Sequence, residues 1–329
     1  MRMPSPADAP PPGDLPPLIV VVGPTAAGKT ALAIRLAEAV GGEIVSADSR
    51  QVYRGMDVGT AKATPAEQAR VPHHLIDVVD PDQPLSLAQF QELAYAAIDE
   101  ILARGQVPFL VGGTGQYVRA VVEGWKIPRV PPDQPLRQAL YDQAETEGHQ
   151  ALHTRLQALD PTAAARIDAR NVRRVVRALE VCLLTGRPIS EQQGKVPPPY
   201  RILILGLALP RARLYQRIDQ RVERMFGAGL EEEVRRLVAA GYHFDLPAMS
   251  GVGYGQFEPY LAGQATLDEV KQQIQRDTRR FVRQQANWFR PDDPRIEWLQ
   301  AGAAAYEKAL SLVRNFLAAP PAAPGSPAP

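Results

Sequence analysis

An eight-residue run from Gly23 to Thr30 reads GPTAAGKT and follows the apolar segment Leu18–Val22. Glycine at its first and sixth positions, then Lys29 and Thr30, is the spacing of a loop that curls its backbone amides around a phosphate. The following helix N-terminus favours the anion, the lysine neutralises it, and the threonine hydroxyl can ligate Mg2+. The loop defines the anion but not the reaction, because ATPases, kinases and enzymes that expel diphosphate all use it. Two further strand ends carry chemistry. EIVSAD stops at Asp48, followed by Ser49, Arg50 and Gln51, and PFLVGG stops before Thr114. A carboxylate at Asp48 can take a proton from an incoming nucleophile; it can equally cap a helix or hold Mg2+ indirectly. Thr114 can donate to an oxygen gaining charge on a leaving group. If both strands neighbour the first, Asp48 and Thr114 converge near the phosphates. PFLVGGTG lacks the terminal acid with which a motor ATPase holds its metal, although a small-molecule kinase stays open. Arg217 and Arg221, at i and i+4, form a pair able to neutralise diphosphate or, as a plain helix surface, to pair with Asp219 and Glu223.

Positioning these residues requires a sheet. LIVVV (18–22), EIVSAD (43–48), VPFLVGG (107–113) and ILILGLAL (202–209) read as strands, HHLIDVVD (73–80) is open to a short strand, and 29–40 and 87–105 read as helices between them. This alternation predicts an α/β fold with a P-loop-type parallel sheet flanked by helices. Strand patterning lapses over 124–200, where helical periodicity is broken near Gly148, Asp160-Pro161 and Gly186. An all-helical insertion is expected there. The catalytic core then comprises 18–123 and 201–317, with helices over 210–226, 230–240 and 267–290, a strand at 296–300 and a closing helix over 303–317. The Pro-rich ends, 1–17 and 318–329, are expected to be disordered.

Composition agrees with a globular chain: 45% of residues are hydrophobic and 22% charged. The single cysteine, Cys182, excludes a disulfide framework and a cysteine zinc site. No apolar run is long enough to span a bilayer and no secretory signal core opens the chain, so a cytoplasmic protein is expected. The net charge of +1 hides two arginine stripes. Arg170, Arg173, Arg174 and Arg177 share one helical face; Arg276, Arg279, Arg280, Arg283 and Arg290 share another, opposite Ile274, Phe281, Val282 and Trp288. With few acids to pair them, the stripes suit a polyanion such as RNA, against a solvated helix face.

The segments GPTAAGKT (23–30), SADSRQVYRGMDVGTAK (46–62), PHHLIDVVDP (72–81), LVGGTGQY (110–117), RVVRALEV (174–181), RIDQRVERM (217–225) and VGYGQ (252–256) together resemble the tRNA dimethylallyltransferase family, in order and over about Leu18–Leu299. The resemblance implies transfer of a dimethylallyl group from dimethylallyl diphosphate to N6 of the adenosine 3′ of the anticodon, with Mg2+ as cofactor and diphosphate released. By that resemblance Asp48 is the catalytic base, with Thr114 and Arg221 completing the catalytic group. Gly23, Pro24, Thr25, Ala26, Ala27, Gly28, Lys29 and Thr30 hold the diphosphate with Arg217, and Thr30 ligates the metal. The same transfer assigns tRNA contacts to Asp48, Ser49, Arg50 and Gln51, to Thr114 and Arg137, and to Arg173, Arg174, Val175, Val176 and Arg177. Met249, Ser250, Gly251, Val252, Gly253, Tyr254 and Gly255 form its last tRNA segment. The helical insertion is then the grip on the anticodon stem-loop, and a monomer is expected. Gly255 stands where family members commonly carry arginine, which puts one phosphate or base contact in doubt. The competing readings are an isopentenyltransferase on free adenine nucleotide, an ATP-dependent kinase and a non-catalytic RNA-binding protein.

Overall fold

A computed structural model describes residues 15–319. The expectation of disordered ends lies outside those residues except at 15–17 and 318–319, where Pro17 already opens a strand and Ala318 still belongs to a helix. The chain divides into two compact units: one runs to Val122 and resumes at Pro199, and the other is Glu123–Pro198.

The first unit starts with β1 (Pro17–Val22), α1 (Lys29–Val40), β2 (Gly42–Ser46), α2 (Pro65–Arg70), β3 (His73–His74), α3 (Leu87–Ala103), β4 (Val107–Val111) and α4 (Gly115–Val122). Leu18 to Val22 are wholly buried, as a central strand covered on both faces requires, and each such side chain contributes about 2 kcal/mol by leaving water. The stretch expected as a strand over 73–80 pairs only at His73 and His74. Leu75 and Asp77 adopt φ of 59° and 53°, which no strand tolerates, and Val79 regains only an isolated bridge to Tyr53.

In the second unit, β5 (Trp125–Lys126) and β6 (Gly194–Lys195) form a short antiparallel pair. Between them lie α5 (Gln134–Glu147), α6 (His149–Leu159), α7 (Pro161–Ala164), α8 (Val172–Thr185) and α9 (Ile189–Gln192). The unit is therefore helical apart from this two-residue clasp, which its Pro-rich flanks do not signal. Leu140, Leu152, Leu156, Val175, Val176 and Leu179 fill its core, and Cys182 is buried in the same cluster.

The first unit resumes with β7 (Arg201–Ala208), α10 (Arg211–Gly227), α11 (Leu230–Ala239), a single 3-10 turn at Gly255–Phe257, α12 (Glu258–Leu261), α13 (Leu267–Gln285), β8 (Ile296–Gln300) and α14 (Ala303–Ala318). Its six-stranded sheet has the order β3-β2-β4-β1-β7-β8 and is parallel throughout. One apolar cluster joins the sheet to α1 and α14, another joins it to α3 and α4. A third, beyond the sheet, unites Val52, Met56, Val222, Val234, Met249 and Ile274. Helix α13 ends at Gln285, short of the expected 290, because Trp288 turns back onto Gly115 and Phe289 enters the cluster under α3 and α4. Arg290 thus leaves the stripe and pairs with Asp292. Among the described residues, no helix is long and apolar enough to cross a membrane.

Candidate active site

The phosphate loop leaves the carboxyl end of β1. Gly23 sits at φ 143°, where a Cβ would come within 2.6 Å of the Leu207 carbonyl, and Gly28 caps α1 at φ 101°, a conformation that disfavours other residues. Ala26 adopts φ 66° without being glycine, a strain of about 1 kcal/mol of the kind concentrated at functional loops. Lys29 Nζ donates to the Pro24 carbonyl at 3.0 Å. Burial lowers its pKa to about 8, opposed by Asp48 and reinforced by Arg221. Arg217 donates to the Ala27 carbonyl at 3.1 Å and so braces the loop. Arg221 donates to the Thr60 carbonyl at 3.2 Å; burial lowers its pKa and Asp48 counters that shift. Neither arginine forms the surface pair that its helix spacing also allowed, since Asp219 is bound by Arg279 and Glu223 by Lys271.

Asp48 and Thr114 come together, though not by the expected route: β4 neighbours β1, but β2 lies one strand farther out. The strand ends meet because Gly112 has no side chain; a Cβ there would sit 2.1 Å from the Ala47 carbonyl. The Ala47 amide donates to the Val111 carbonyl at 2.8 Å, and the Thr114 amide donates to the Ala47 carbonyl at 3.3 Å. Thr114 Oγ1 accepts the Ser49 amide at 3.0 Å, and the Asp48 carboxylate accepts the Arg50 amide at 2.9 Å. Arg50 donates to the carbonyls of Pro247 and Ala248, and Gln51 spans from the Ser46 hydroxyl to the carbonyls of Thr60 and Ala61. A cavity of about 260 Å³ is lined both by the polar residues Thr25, Asp48, Thr114 and Arg221 and by the apolar residues Ile218, Val222, Met225 and Ile274. Such a lining offers polar groups to an anion and apolar surface to a short hydrocarbon.

Among the described residues, no three His, Cys, Asp or Glu side chains are grouped to hold a metal. Thr30 lies in the first turn of α1, where its hydroxyl is the side-chain oxygen that could join phosphate oxygens and water around a Mg2+.

Some sequence-derived contacts turn inward. Val175 and Val176 are core residues of the helical unit, and Met249 and Tyr254 are buried, so their side chains are closed to RNA. Arg137 and Arg177 both donate to the fully buried Glu180, which also accepts the Asp133 amide at 2.8 Å. Burial alone would push the Glu180 carboxyl up, but these partners hold it below its ordinary value. The acids expected to be lacking are thus present: Arg170 is likewise held by Asp168, while Arg173 and Arg174 are exposed. On α13, Arg276, Arg279, Arg280 and Arg283 line a groove of about 450 Å³ with Tyr215 and Asp277, and Phe281, expected opposite them, is exposed beside the other cavity. Gly255 carries no side chain, and the Gln256 side chain bridges the Gly253 amide to Asp277.

Two residues escaped sequence reasoning. Glu233, buried in α11, accepts the amides of Asp57, Val58 and Gly59 at 2.8–3.0 Å and the Tyr254 phenol at 2.6 Å. Burial, reinforced by Glu233, pushes the Tyr254 phenol far up. Gln285, at the end of α13, accepts the Thr25 amide at 2.9 Å and donates to the Gly113 carbonyl at 3.0 Å. An acid within the run LEEEVRRL and a glutamine at the end of a polar helix carry no signal of these roles.

The family model described as IPP transferase matches residues 51–292, and that described as isopentenyl transferase matches 16–77. A protein named tRNA dimethylallyltransferase from Roseiflexus sp. (strain RS-1) is 57% identical over 92% of this chain and 99% of its own length. One of the same name from Dehalococcoides mccartyi is 49% identical over 92% and 94%. Among solved structures, a tRNA isopentenylpyrophosphate transferase from Bacillus halodurans is similar with a TM-score of 0.67 at 41% identity, covering 92% of this chain and 95% of its own. A eukaryotic dimethylallyltransferase acting on tRNA is similar with a TM-score of 0.77 at 25% identity, covering 92% and 79%.

Proposed function

The chain belongs to the IPP transferase family, whose curated relatives are tRNA dimethylallyltransferases, and on that premise we propose that it prenylates tRNA. The reaction joins C1 of dimethylallyl diphosphate to N6 of the adenosine 3′ of the anticodon. The C1–O bond breaks, diphosphate carries away the electron pair, and N6 loses a proton. The observation that carries this reading is the single cavity in which a phosphate-loop residue, Thr25, and the paired strand ends Asp48 and Thr114 share the lining with apolar side chains.

Asp48 is the base for the N6 proton. Lys29 and Arg221 oppose the charge that grows on the departing oxygen, and the amides at the start of α1 hold the diphosphate. Thr114 accepts the Ser49 amide and donates its hydroxyl proton to Ser49 Oγ at 3.3 Å; with diphosphate bound, that proton turns to the leaving group. Mg2+, held through Thr30, adds positive charge to the leaving diphosphate when bound. The target adenine must leave its stack to reach a cavity of this kind. The exposed Arg173 and Arg174 are candidates for phosphate contacts on the anticodon stem-loop. We further propose a cytoplasmic monomer.

Incubating the protein with Mg2+, labelled dimethylallyl diphosphate and either an unmodified anticodon stem-loop or AMP tests the proposal by mass spectrometry. Label on the stem-loop adenosine is expected. Label on AMP at an equal rate would make it a free-nucleotide enzyme, and absence of label in both would sink the prenyl reading.

A further inference from the structure

We infer that Gln285 is a positioning residue that fixes the distance between the diphosphate-holding loop and the acceptor side of the site; the inference rests on the reaction proposed above. The residue is 4% exposed and its side-chain amide uses both ends: Oε1 accepts the Thr25 amide at 2.9 Å and Nε2 donates to the Gly113 carbonyl at 3.0 Å. Thr25 lies within the phosphate loop. Gly113 directly precedes Thr114, which binds Ser49 and Ala47 on either side of Asp48. One side-chain amide therefore joins the donor loop to the turn that carries the acceptor chemistry, across 172 residues of sequence on one side and 260 on the other. The fit is close: a Cβ at Gly113 would lie 2.4 Å from Gln285 Nε2 and 3.4 Å from Lys29 Nζ. Thus the lysine that neutralises the leaving group, the turn before Thr114 and the glutamine meet at one point.

The head group must offer one acceptor and one donor at a fixed separation. Glutamine does so, ionised glutamate has no donor, and asparagine is one methylene too short. Gln285 lines the cavity but bonds only to backbone, so its removal deletes no side-chain partner of the catalytic residues and instead frees the two loops to shift. The loss falls on the register between the two substrates. Misplacing reacting groups by about 1 Å can cost about 100-fold in rate.

The test uses the full chain as wild type, Gln285→Ala, Gln285→Asn and Gln285→Glu, with Mg2+, labelled dimethylallyl diphosphate and the anticodon stem-loop. For Gln285→Ala, kcat is expected to fall about 100-fold while both KM values stay within about threefold. Gln285→Asn should also be slow, since its head cannot span both loops. Wild-type kcat in the alanine variant, or a loss confined to KM, overturns the inference. Should the alanine variant fail to fold, Gln285→Glu decides. A protonated glutamic acid can again accept from Thr25 and donate to Gly113, so the ratio of variant to wild-type kcat should climb as pH falls from 8 toward 5.5. A flat ratio overturns the inference. A wild-type protein that labels neither stem-loop nor AMP fails the functional reading itself and takes this inference with it, a result distinct from active wild type with active variants.

Discussion

The two sides of the site are built by opposite means. The phosphate loop is contiguous: eight residues, three with positive φ, curl between one strand and one helix, and their backbone makes the binding surface. The acceptor side is assembled from a distance. Asp48 to Gln51 owe their places to Thr114, Pro247 and Thr60, and the segment from Asp57 to Gly59 hangs on Glu233. A backbone loop spreads its binding surface over many amides, with Gln285 and Arg217 as its outside braces, whereas a frame of buried side chains concentrates its energy in a few atoms. The comparison predicts that acceptor-side substitutions separate into chemistry and scaffold, while loop substitutions act on anion binding.

The largest effect should come from Asp48→Asn. Asparagine keeps an oxygen for the Arg50 amide but cannot take a proton from N6. Transfer should fall by about 10²–10⁴-fold, with the affinity for Mg2+-diphosphate changed less than threefold. Turnover within tenfold of wild type would remove Asp48 from the chemistry and erase the distinction drawn here.

Next in size is Glu233→Gln. The carboxylate satisfies three backbone amides and a phenol, and an amide head places N–H groups against some of those donors. Hydrogen bonds to a buried charge are worth about 1.5–3 kcal/mol each, so the local structure should lose about 3 kcal/mol. Exchange of the Asp57, Val58 and Gly59 amides should then speed up by about 100-fold while the phosphate-loop amides keep their protection. Equal loosening of both regions would mean the two sides are one cooperative unit.

The loop side answers to pH through Lys29, whose pKa is lowered to about 8, chiefly by burial. Without ligand the unfolded chain binds the extra proton between about pH 8 and the ordinary lysine value near 10.5, so Lys29 makes stability rise with pH in that window. Ligand binding has the opposite sign. A diphosphate favours protonated Lys29, so affinity should be level below pH 8 and fall by up to about tenfold per unit above it. Titration calorimetry with inorganic diphosphate checks this, and Lys29→Met should flatten the profile.

The same contrast explains what could be read from sequence. The loop, β1, α1 and β8 were legible because periodicity and spacing are local properties; the strand ends singled out Asp48 and Thr114, and the resemblance assigned their roles. Gln285 and Glu233 were not legible, because an amide or an acid in a polar helix looks alike whether it faces water or a buried backbone. The end of α13 was misplaced for a related reason: Trp288 continues the helical period, and only its contact with Gly115 shows why the chain turns. Arginine spacing likewise shows a face but not who occupies it.

The smallest predicted effect bears on that last point, within the helical unit. Arg174 is exposed, whereas Arg177 shares Glu180 with Arg137. If Arg174 meets a phosphate of the stem-loop, Arg174→Ala should weaken binding a few-fold and lower the slope of log affinity against log salt by about 0.7–0.9. Arg177→Ala should leave that slope unchanged and instead lower the thermal midpoint, because a buried carboxylate loses one of its two cations. Filter binding at several salt concentrations, beside thermal melts, separates the two. A salt slope that moves with Arg177 rather than Arg174 would mean that RNA draws the guanidinium away from Glu180, making this clamp a part of recognition as well as of folding.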